Sequence, residues 1–519
     1  MKCKLQMGKV LFKCSHLEFR YNLNTNTNTN LINMKRYILN PRYVLRSEGN
    51  KVYILVDHKY QLEAYLSVIH PIFAMILSFF KGGLLCDILD EISTFFQLEK
   101  SKIEKLVTPL LENKNVITNG SSAFPKQIII EYKEDIPIHN YSPFDFKYKD
   151  IDLQISRFKA PSDIICNITM KCLTSCIYCY ADRAGNQNKT MPITLLEKII
   201  KEAKELKVVR FRLMGGEVLL YKEWEAILKK MAELDFQPSI STKIPLTERH
   251  LDIIRTLDLN KSPIQFSLDT MIKDHLYQIL NIKDPYYDNM IKCFDLMEKY
   301  NMDYMIHTVL TNKNDSIKDI ESLISFFNHR KNIKRWFLDT AKCSMYIGKE
   351  YKTYKSTISN INAIREYLTS LIKEDFFDYE VKLPVIIPNV NNISKEEKKE
   401  KFEKRTMCAG NLNALYILPD GKVTICEELY WHPRFILGDL NKQSLSEIWN
   451  SQKANDLFYI KQNDIQKSSP CASCEDFKEC HSYKHLCWRD VIWAYGMEKW
   501  DYPDPYCPKA PHIEKDITL

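Results

Sequence analysis

From about position 160 the chain sets short apolar runs between amphipathic stretches at a spacing of roughly thirty residues. Six runs are short enough and sufficiently β-branched or aromatic to be strands, at 164–168, 208–213, 238–242, 264–268, 304–310 and 335–338. Between them, Trp224, Ile227, Leu228, Met231 and Leu234 share one face of a helix, as do Ile317, Ile320, Leu323, Ile324 and Phe327. This rhythm predicts an α/β fold of βα units. The helical stripes are core packing.

The pattern differs on either side. At 43–57 two β-rich runs flank Gly49-Asn50, a hairpin signal, and helical periodicity follows over 71–114. Together these predict a small winged helix-turn-helix over 35–120, followed by a connector at 121–155. Asn and Thr alternate at 21–30 with little to bury, so 1–34 is expected to be disordered or an extension. The mixed-charge run within 391–405 predicts a solvated helix or linker between a βα region at 156–390 and a final domain at 406–519.

Composition narrows the class. With 519 residues and 45% hydrophobic content, the chain can fill several cores. Its charge of +7 is spread out, without the basic arm or patch that nucleic acid demands. The apolar run at 72–77 is broken by Ser78, far short of a bilayer span, and 1–20 lacks the apolar core and cleavage site of a signal peptide. A cytoplasmic location is expected, with no membrane and no nucleic-acid partner.

Sixteen cysteines in such a compartment point to metal or cluster ligation where they crowd together. Three crowd into 172–179 and seven into 408–507, while Cys3, Cys14, Cys86, Cys166, Cys293 and Cys343 stand alone as ordinary small residues. After the strand at 164–168, Cys172, Cys176 and Cys179 are spaced C-x3-C-x2-C. Three thiolates leave a cubane one open iron, whereas structural zinc takes four ligands; zinc completed by a distant residue is the bland alternative.

This motif, with Tyr178 at its aromatic position, resembles the signature of the radical S-adenosylmethionine (SAM) superfamily. The resemblance implies a partial (β/α)6 barrel and a four-iron cluster on those cysteines. It also implies cleavage of SAM to a 5′-deoxyadenosyl radical. Gly215-Gly216-Glu217, one βα unit later, resembles the family's loop for the methionyl amino group. Thr242, Ser267 and Asp269 resemble strand ends that approach the cofactor, and Tyr178 joins them as a cofactor-binding candidate. Relatives often carry an Arg beyond the fourth strand; here none occurs between 269 and 290, leaving the cofactor carboxylate without an assigned partner.

The C-terminal spacing, Cys408, Gly421, Cys426, Cys471, Cys474, Cys480, Cys487 and Cys507, resembles the SPASM extension, which houses two auxiliary four-iron clusters. By position, the resemblance implies one cluster on Cys408, Cys426 and Cys487 and another on Cys471, Cys474, Cys480 and Cys507. Three 4Fe-4S clusters are thus expected, with Cys343 a candidate fourth ligand for the first auxiliary one. Six residues separate Cys480 from Cys487 where the family usually places three, and a zinc ribbon is the alternative for 471–507.

Segment 35–120 resembles the leader-recognition element of peptide maturases, in which an extended leader adds a strand to the hairpin edge. The implied function is modification of a ribosomally made precursor peptide, by a thioether, a carbon–carbon crosslink or a related oxidation. An electron donor such as flavodoxin or ferredoxin would be a partner. Two alternatives stand beside it. A sulfatase-maturating-type oxidation to formylglycine would use Glu427, a catalytic general-base candidate, where those relatives carry Asp. A redox-sensing DNA-binding regulator is opposed by Asp87, Asp90, Glu91, Glu99 and Glu104 in the helical segment.

Overall fold

A computed structural model describes residues 35–57, 65–182, 185–346, 350–386, 389–483 and 486–513. The expected extension at 1–34 lies outside these described residues. The chain divides into two compact units, Met1–Ser156 and Arg157–Leu519.

In the first unit the hairpin forms where Gly49-Asn50 predicts it. Strands β1 (Arg36–Leu39), β2 (Tyr43–Ser47), β3 (Val52–Val56) and β4 (Leu66–Ile69) are followed by β5 (Lys81–Leu84). Then come β6 (Ile117–Asn119), β7 (Ser122–Phe124) and β8 (Ile129–Glu131). They form sheets ordered β2-β3-β4 and β5-β1-β8 and a β6-β7 hairpin. Helices Pro71–Leu77, Leu85–Phe96 and Lys100–Val107 pack Phe73, Ile76, Leu89, Ile92 and Ile103 onto one core with Ile54 and Tyr37.

Lys81-Gly82-Gly83 lies within β5, where Gly82, at φ 87°, takes up the shift in register between Tyr37↔Gly83 and Ile38↔Lys81. Strand β3 is the central strand of its sheet, so of the two hairpin strands only β2 offers an edge; the edge strands are β2 and β4.

In the second unit the six expected strands appear as β9 (Asp163–Thr169), β10 (Arg210–Gly215), β11 (Ser241–Thr242), β12 (Ile264–Ser267), β13 (Tyr304–Leu310) and β14 (Ile333–Thr340). Strand β15 (Glu380–Lys382) adds to the last of these, giving a parallel sheet β11-β12-β13-β14-β15. Along β13 buried and partly exposed residues alternate, so Tyr304, Ile306, Thr308 and Leu310 face the helices while Met305, His307 and Val309 face away. Strand β11 keeps only two residues of the expected five-residue run, which opens with Pro238, a residue without a ladder donor.

The other sheet is mixed, ordered β10-β9-β16-β17-β18, with β16 (Ala414–Ile417), β17 (Lys422–Thr424) and β18 (Gly438–Asp439). Strand β16 pairs in parallel with β9, from Ala414↔Asp163 to Ile417↔Cys166. The cysteine-rich region therefore extends the sheet that carries the three-cysteine loop. The mixed-charge run is a helix, Lys395–Glu403, with no buried residue. No described helix is long and apolar enough to cross a membrane.

Candidate active site

Strand β9 delivers Cys172, Cys176 and Cys179 to a loop at its C-terminal end. Its root is held by Asp163, whose Oδ2 accepts from Arg210 at 2.7 Å and Arg212 at 2.9 Å. Within the loop, Thr174 Oγ1 lies 3.4 Å from Cys172 Sγ and 3.3 Å from Cys176 Sγ. The backbone N–H groups of Ser175 and Ile177 donate to Leu280 and Ile279 at 2.9 Å, so the end of helix Lys273–Leu280 braces the loop. Burial pushes the Cys176 thiol up and the ammonium of Lys243 opposes it.

The glycine loop after β10 lies directly against this one. Gly216 donates its N–H to Thr169 O at 2.7 Å, and a Cβ at Gly216 would meet Lys171 O at 2.3 Å. Only glycine permits that approach. Glu217 is buried, with Oε2 accepting from Thr242 Oγ1 at 3.0 Å and Lys243 N at 3.1 Å and Oε1 accepting from Leu219 N at 3.3 Å. Its side chain ties the end of β10 to the end of β11, and burial raises its pKa against those donors.

Tyr178 and Asp269 come together across the strand ends: the Tyr178 hydroxyl donates to Asp269 Oδ2 at 2.7 Å, and Val309 N donates to Oδ1 at 3.0 Å. Sequence reasoning missed Lys243, whose Nζ lies 3.3 Å from Asp269 Oδ2 and against the Tyr178 hydroxyl. Burial works against its charge, yet Asp269 and the Cys176 thiol outweigh it and hold its pKa above the ordinary lysine value. The signal was adjacent, since Lys243 follows Ser241-Thr242 and supplies a cation where no arginine follows Asp269. Ser267 stands at the end of β12, partly exposed.

The C-terminal cysteines gather in two sets. Cys408, Cys426 and Cys487 are close enough for each charge to reach another. A Cβ at Gly410 would meet Ile425 O at 2.3 Å, so this glycine lets the Cys408 turn close on the segment leading into Cys426. Burial pushes the Cys487 thiol up to about 12, Asp490 adds to it, and Arg489 and Arg405 pull it back. Cys471, Cys474, Cys480 and Cys507 interact with one another, and Gln462 Nε2 donates to the carbonyls of Cys471 at 3.1 Å and Cys474 at 2.8 Å. Cys343 packs with Ile177, Tyr178, Val309 and Tyr354 beside the three-cysteine loop.

Glu427 lies between the two regions. Burial pushes its pKa up and Glu428 adds to that, while Arg212 and Arg489 oppose and Tyr180 donates to its carboxylate. Tyr430 sits within reach of both Cys179 and Glu427. The carboxyl thus bridges the three-cysteine loop and the segment carrying Cys426.

The residues fit the groups that such motifs serve. The loop offers three free, partly exposed thiols, the number that leaves a cubane one open iron, and Gly215-Gly216 lets the second loop close onto the backbone of 169–171 that leads into them. The profile of the radical SAM superfamily matches residues 166–327, and that of the SPASM iron-sulfur cluster-binding domain matches residues 408–475. The "Probable GTP 3',8-cyclase" of Methanothermobacter marburgensis is 31% identical over 119 residues, 23% of this chain and 38% of the relative. The chain thus spans little more than a third of that cyclase's length. An uncharacterized protein of Methanocaldococcus jannaschii is 30% identical over 276 residues, 51% of this chain and 85% of the relative. Streptococcus suis SuiB bound to S-adenosylmethionine superposes with a TM-score of 0.60 at 17% identity, covering 91% of this chain and 99% of SuiB. SuiB bound to its precursor peptide SuiA gives 0.58 at the same identity and coverage.

Proposed function

Because the chain belongs to the radical SAM superfamily and carries a SPASM domain, we propose that this enzyme modifies a ribosomally made precursor peptide. The observation that carries the reading is the place of Glu427, a half-buried carboxyl that directly follows Cys426 and accepts from Tyr180 beside the three-cysteine loop. An oxidative modification needs a group that takes up the substrate's proton beside a route for its electron, and Glu427 supplies the first. The overall likeness to SuiB, whose structure is known with a precursor peptide, supports the substrate class.

In this proposal Cys172, Cys176 and Cys179 hold one 4Fe-4S cluster, Cys408, Cys426 and Cys487 a second, and Cys471, Cys474, Cys480 and Cys507 a third. With SAM bound, the first cluster would supply the 5′-deoxyadenosyl radical that removes hydrogen from a substrate carbon. Tyr178, Thr242, Ser267 and Asp269 orient the cofactor, and the backbone of Gly215 to Glu217 lines its amino end. Lys243 places a cation beside Asp269 and the open face of the loop. Arg405 and Arg489 offset the negative charge gathered at the second cysteine set.

The strands β9 to β14 form a partial (β/α)6 barrel in this reading, and the first unit is a winged helix that captures the leader by strand addition along β2. At Leu45 the outward N–H of β2 is held by the Tyr141 hydroxyl at 3.1 Å, which a docking strand would displace. The domain limits are those of 35–120, 121–155, 156–390, 391–405 and 406–519. The protein works in the cytoplasm with flavodoxin or ferredoxin as reductant.

The decisive experiment is anaerobic incubation of the reconstituted enzyme with SAM, reductant and a short peptide encoded beside it, read by mass spectrometry. The expected product has lost hydrogen from the peptide core in step with 5′-deoxyadenosine formation. Turnover of GTP, or cofactor cleavage that no peptide couples to, would overturn the reading. Glu427→Gln should retain 5′-deoxyadenosine formation while product falls by about 10²-fold or more.

A further inference from the structure

A polar cavity of about 300 Å³ opens beside the loop after β13, lined by His275, Gln278, Asn312, Lys313, Asp315, Ser316 and Asp319. Two carboxylates face it, and they are held differently. Asp319 is 1% exposed and fully engaged: Oδ1 accepts from Thr270 Oγ1 at 2.7 Å and pairs with His275 Nδ1 at 2.8 Å, and Oδ2 accepts from Ser316 Oγ at 2.5 Å. Asp315 is 8% exposed, and its buried Oδ2 has no hydrogen-bond partner. A buried carboxylate oxygen left unpaired is costly, and rotation of the Asp315 carboxylate onto a cation held in the cavity would remove that cost.

The cavity also borders the reaction site. Asn314, next to Asp315, donates through Nδ2 to the carbonyl oxygens of Asp269 at 2.8 Å and Val309 at 3.0 Å. Thr270, which follows Asp269, reaches Asp319. His275 and Gln278 stand on helix Lys273–Leu280, whose end braces the three-cysteine loop. A group held by Asp315 therefore lies one residue removed from the strand end that carries Asp269.

We infer that this cavity is a subsite for a basic side chain of the substrate, a lysine ammonium or an arginine guanidinium, paired with the Asp315 carboxylate. The inference rests on the peptide-modifying reading above. One available carboxylate flanked by the amides of Gln278 and Asn312 suits a nitrogen cation that donates several hydrogen bonds. A divalent metal takes more oxygen ligands than this set offers with Asp319 already engaged. Lys313 lines the same cavity, is exposed, and makes no ion pair among the described residues, so its ammonium competes with the ligand.

Calorimetry on the holoenzyme tests this without turnover, using Nα-acetyl-arginine amide and Nα-acetyl-lysine amide as probes and Nα-acetyl-citrulline amide as the neutral control. Saturable binding of the cationic amides is expected, weakened about tenfold or more by Asp315→Asn and tightened a fewfold by Lys313→Ala. Asp315→Asn should keep or raise the unfolding midpoint of the parent, because no partner within the fold is lost and an unpaired buried charge is removed. Equal binding of the citrulline amide, binding indifferent to Asp315→Asn, no saturable binding, or stoichiometric uptake of potassium or magnesium in place of the amides would each overturn the proposal. So would a marked fall in the midpoint of Asp315→Asn, which would make the carboxylate a structural group. If the amides bind as expected but no peptide is modified, the subsite stands and the peptide reading fails.

Discussion

Lys51 of the first unit is buried and Lys243 of the second is half-buried, and the two are held in different company. Lys51, 1% exposed in the first unit, donates to Asp152 Oδ2 at 3.1 Å, Gln154 O at 2.5 Å and Ser156 Oγ at 3.0 Å, so three donors meet three acceptors. Lys243 in the second unit faces Asp269, the Tyr178 hydroxyl and the thiols of Cys176 and Cys172 at the strand ends. The first lysine ties a strand to the segment that closes its own unit. The second is a charge aimed at a place where thiols and a carboxylate converge, which is how a fold prepares a site for ligands. The first unit satisfies its buried lysine internally and is suited to binding through its strand edges, whereas the second gathers groups that await something else.

The largest effect should come from the second unit. Replacing Cys172, Cys176 and Cys179 together by Ala should abolish 5′-deoxyadenosine formation while iron falls only from about twelve to about eight per chain, because the other thiols remain. Retained cofactor cleavage would break the contrast at its root. Deleting 1–156, the first compact unit, should leave uncoupled cofactor cleavage and lower modification of the full-length peptide by about 10²-fold or more. Modification undiminished by that deletion would remove leader capture from the first unit.

The two lysines give a sharper test at intermediate size. Lys51→Met should cost about 1–3 kcal/mol of stability through its lost hydrogen bonds, read as a lower denaturant midpoint for the first unit, with no change in the KM for SAM. Lys243→Met strands Asp269 and should raise the KM for SAM about tenfold or more beyond its stability cost. Equal effects on KM would erase the distinction.

The smallest effect is a pH dependence confined to the first unit. His70 caps helix Pro71–Leu77 by accepting from Ile72 N at 3.1 Å, and burial lowers its pKa. Its folded pKa lies below the unfolded value of about 6.5, so the stabilisation is complete above that pH and is lost as pH falls through the folded value. Asn at this position keeps a capping oxygen, so His70→Asn should flatten the acid limb of stability by about 1 kcal/mol. An unchanged limb would show that other groups carry it.

Much of this architecture is readable from local pattern. The hairpin at Gly49-Asn50, five of the six βα strands to within a few residues, and the exposed charged helix all follow from periodicity and turn chemistry, which depend on neighbours in sequence. Strand β11 was overestimated because its flanking residues read as apolar strand while the ladder to β12 extends over only two pairs. The family resemblance rested on the same kind of information, since three cysteines within eight residues share one loop wherever that loop goes.

The chain's own order of residues thus determined that a three-thiol loop follows a strand, that a glycine loop follows the next, and that seven further thiols end the molecule. Only the tertiary structure decided which distant groups meet. Pairing of β16 with β9 brings the Cys426 segment and Glu427 to the three-cysteine loop, across about 250 residues of sequence, and no local period encodes such a ladder. Lys243 became visible only when the ends of β11 and β12 placed it against Asp269, and Asp315 only when its surroundings left a carboxylate oxygen without a donor. Burial and partnership are properties of packed neighbours, and those neighbours are chosen by the fold as a whole.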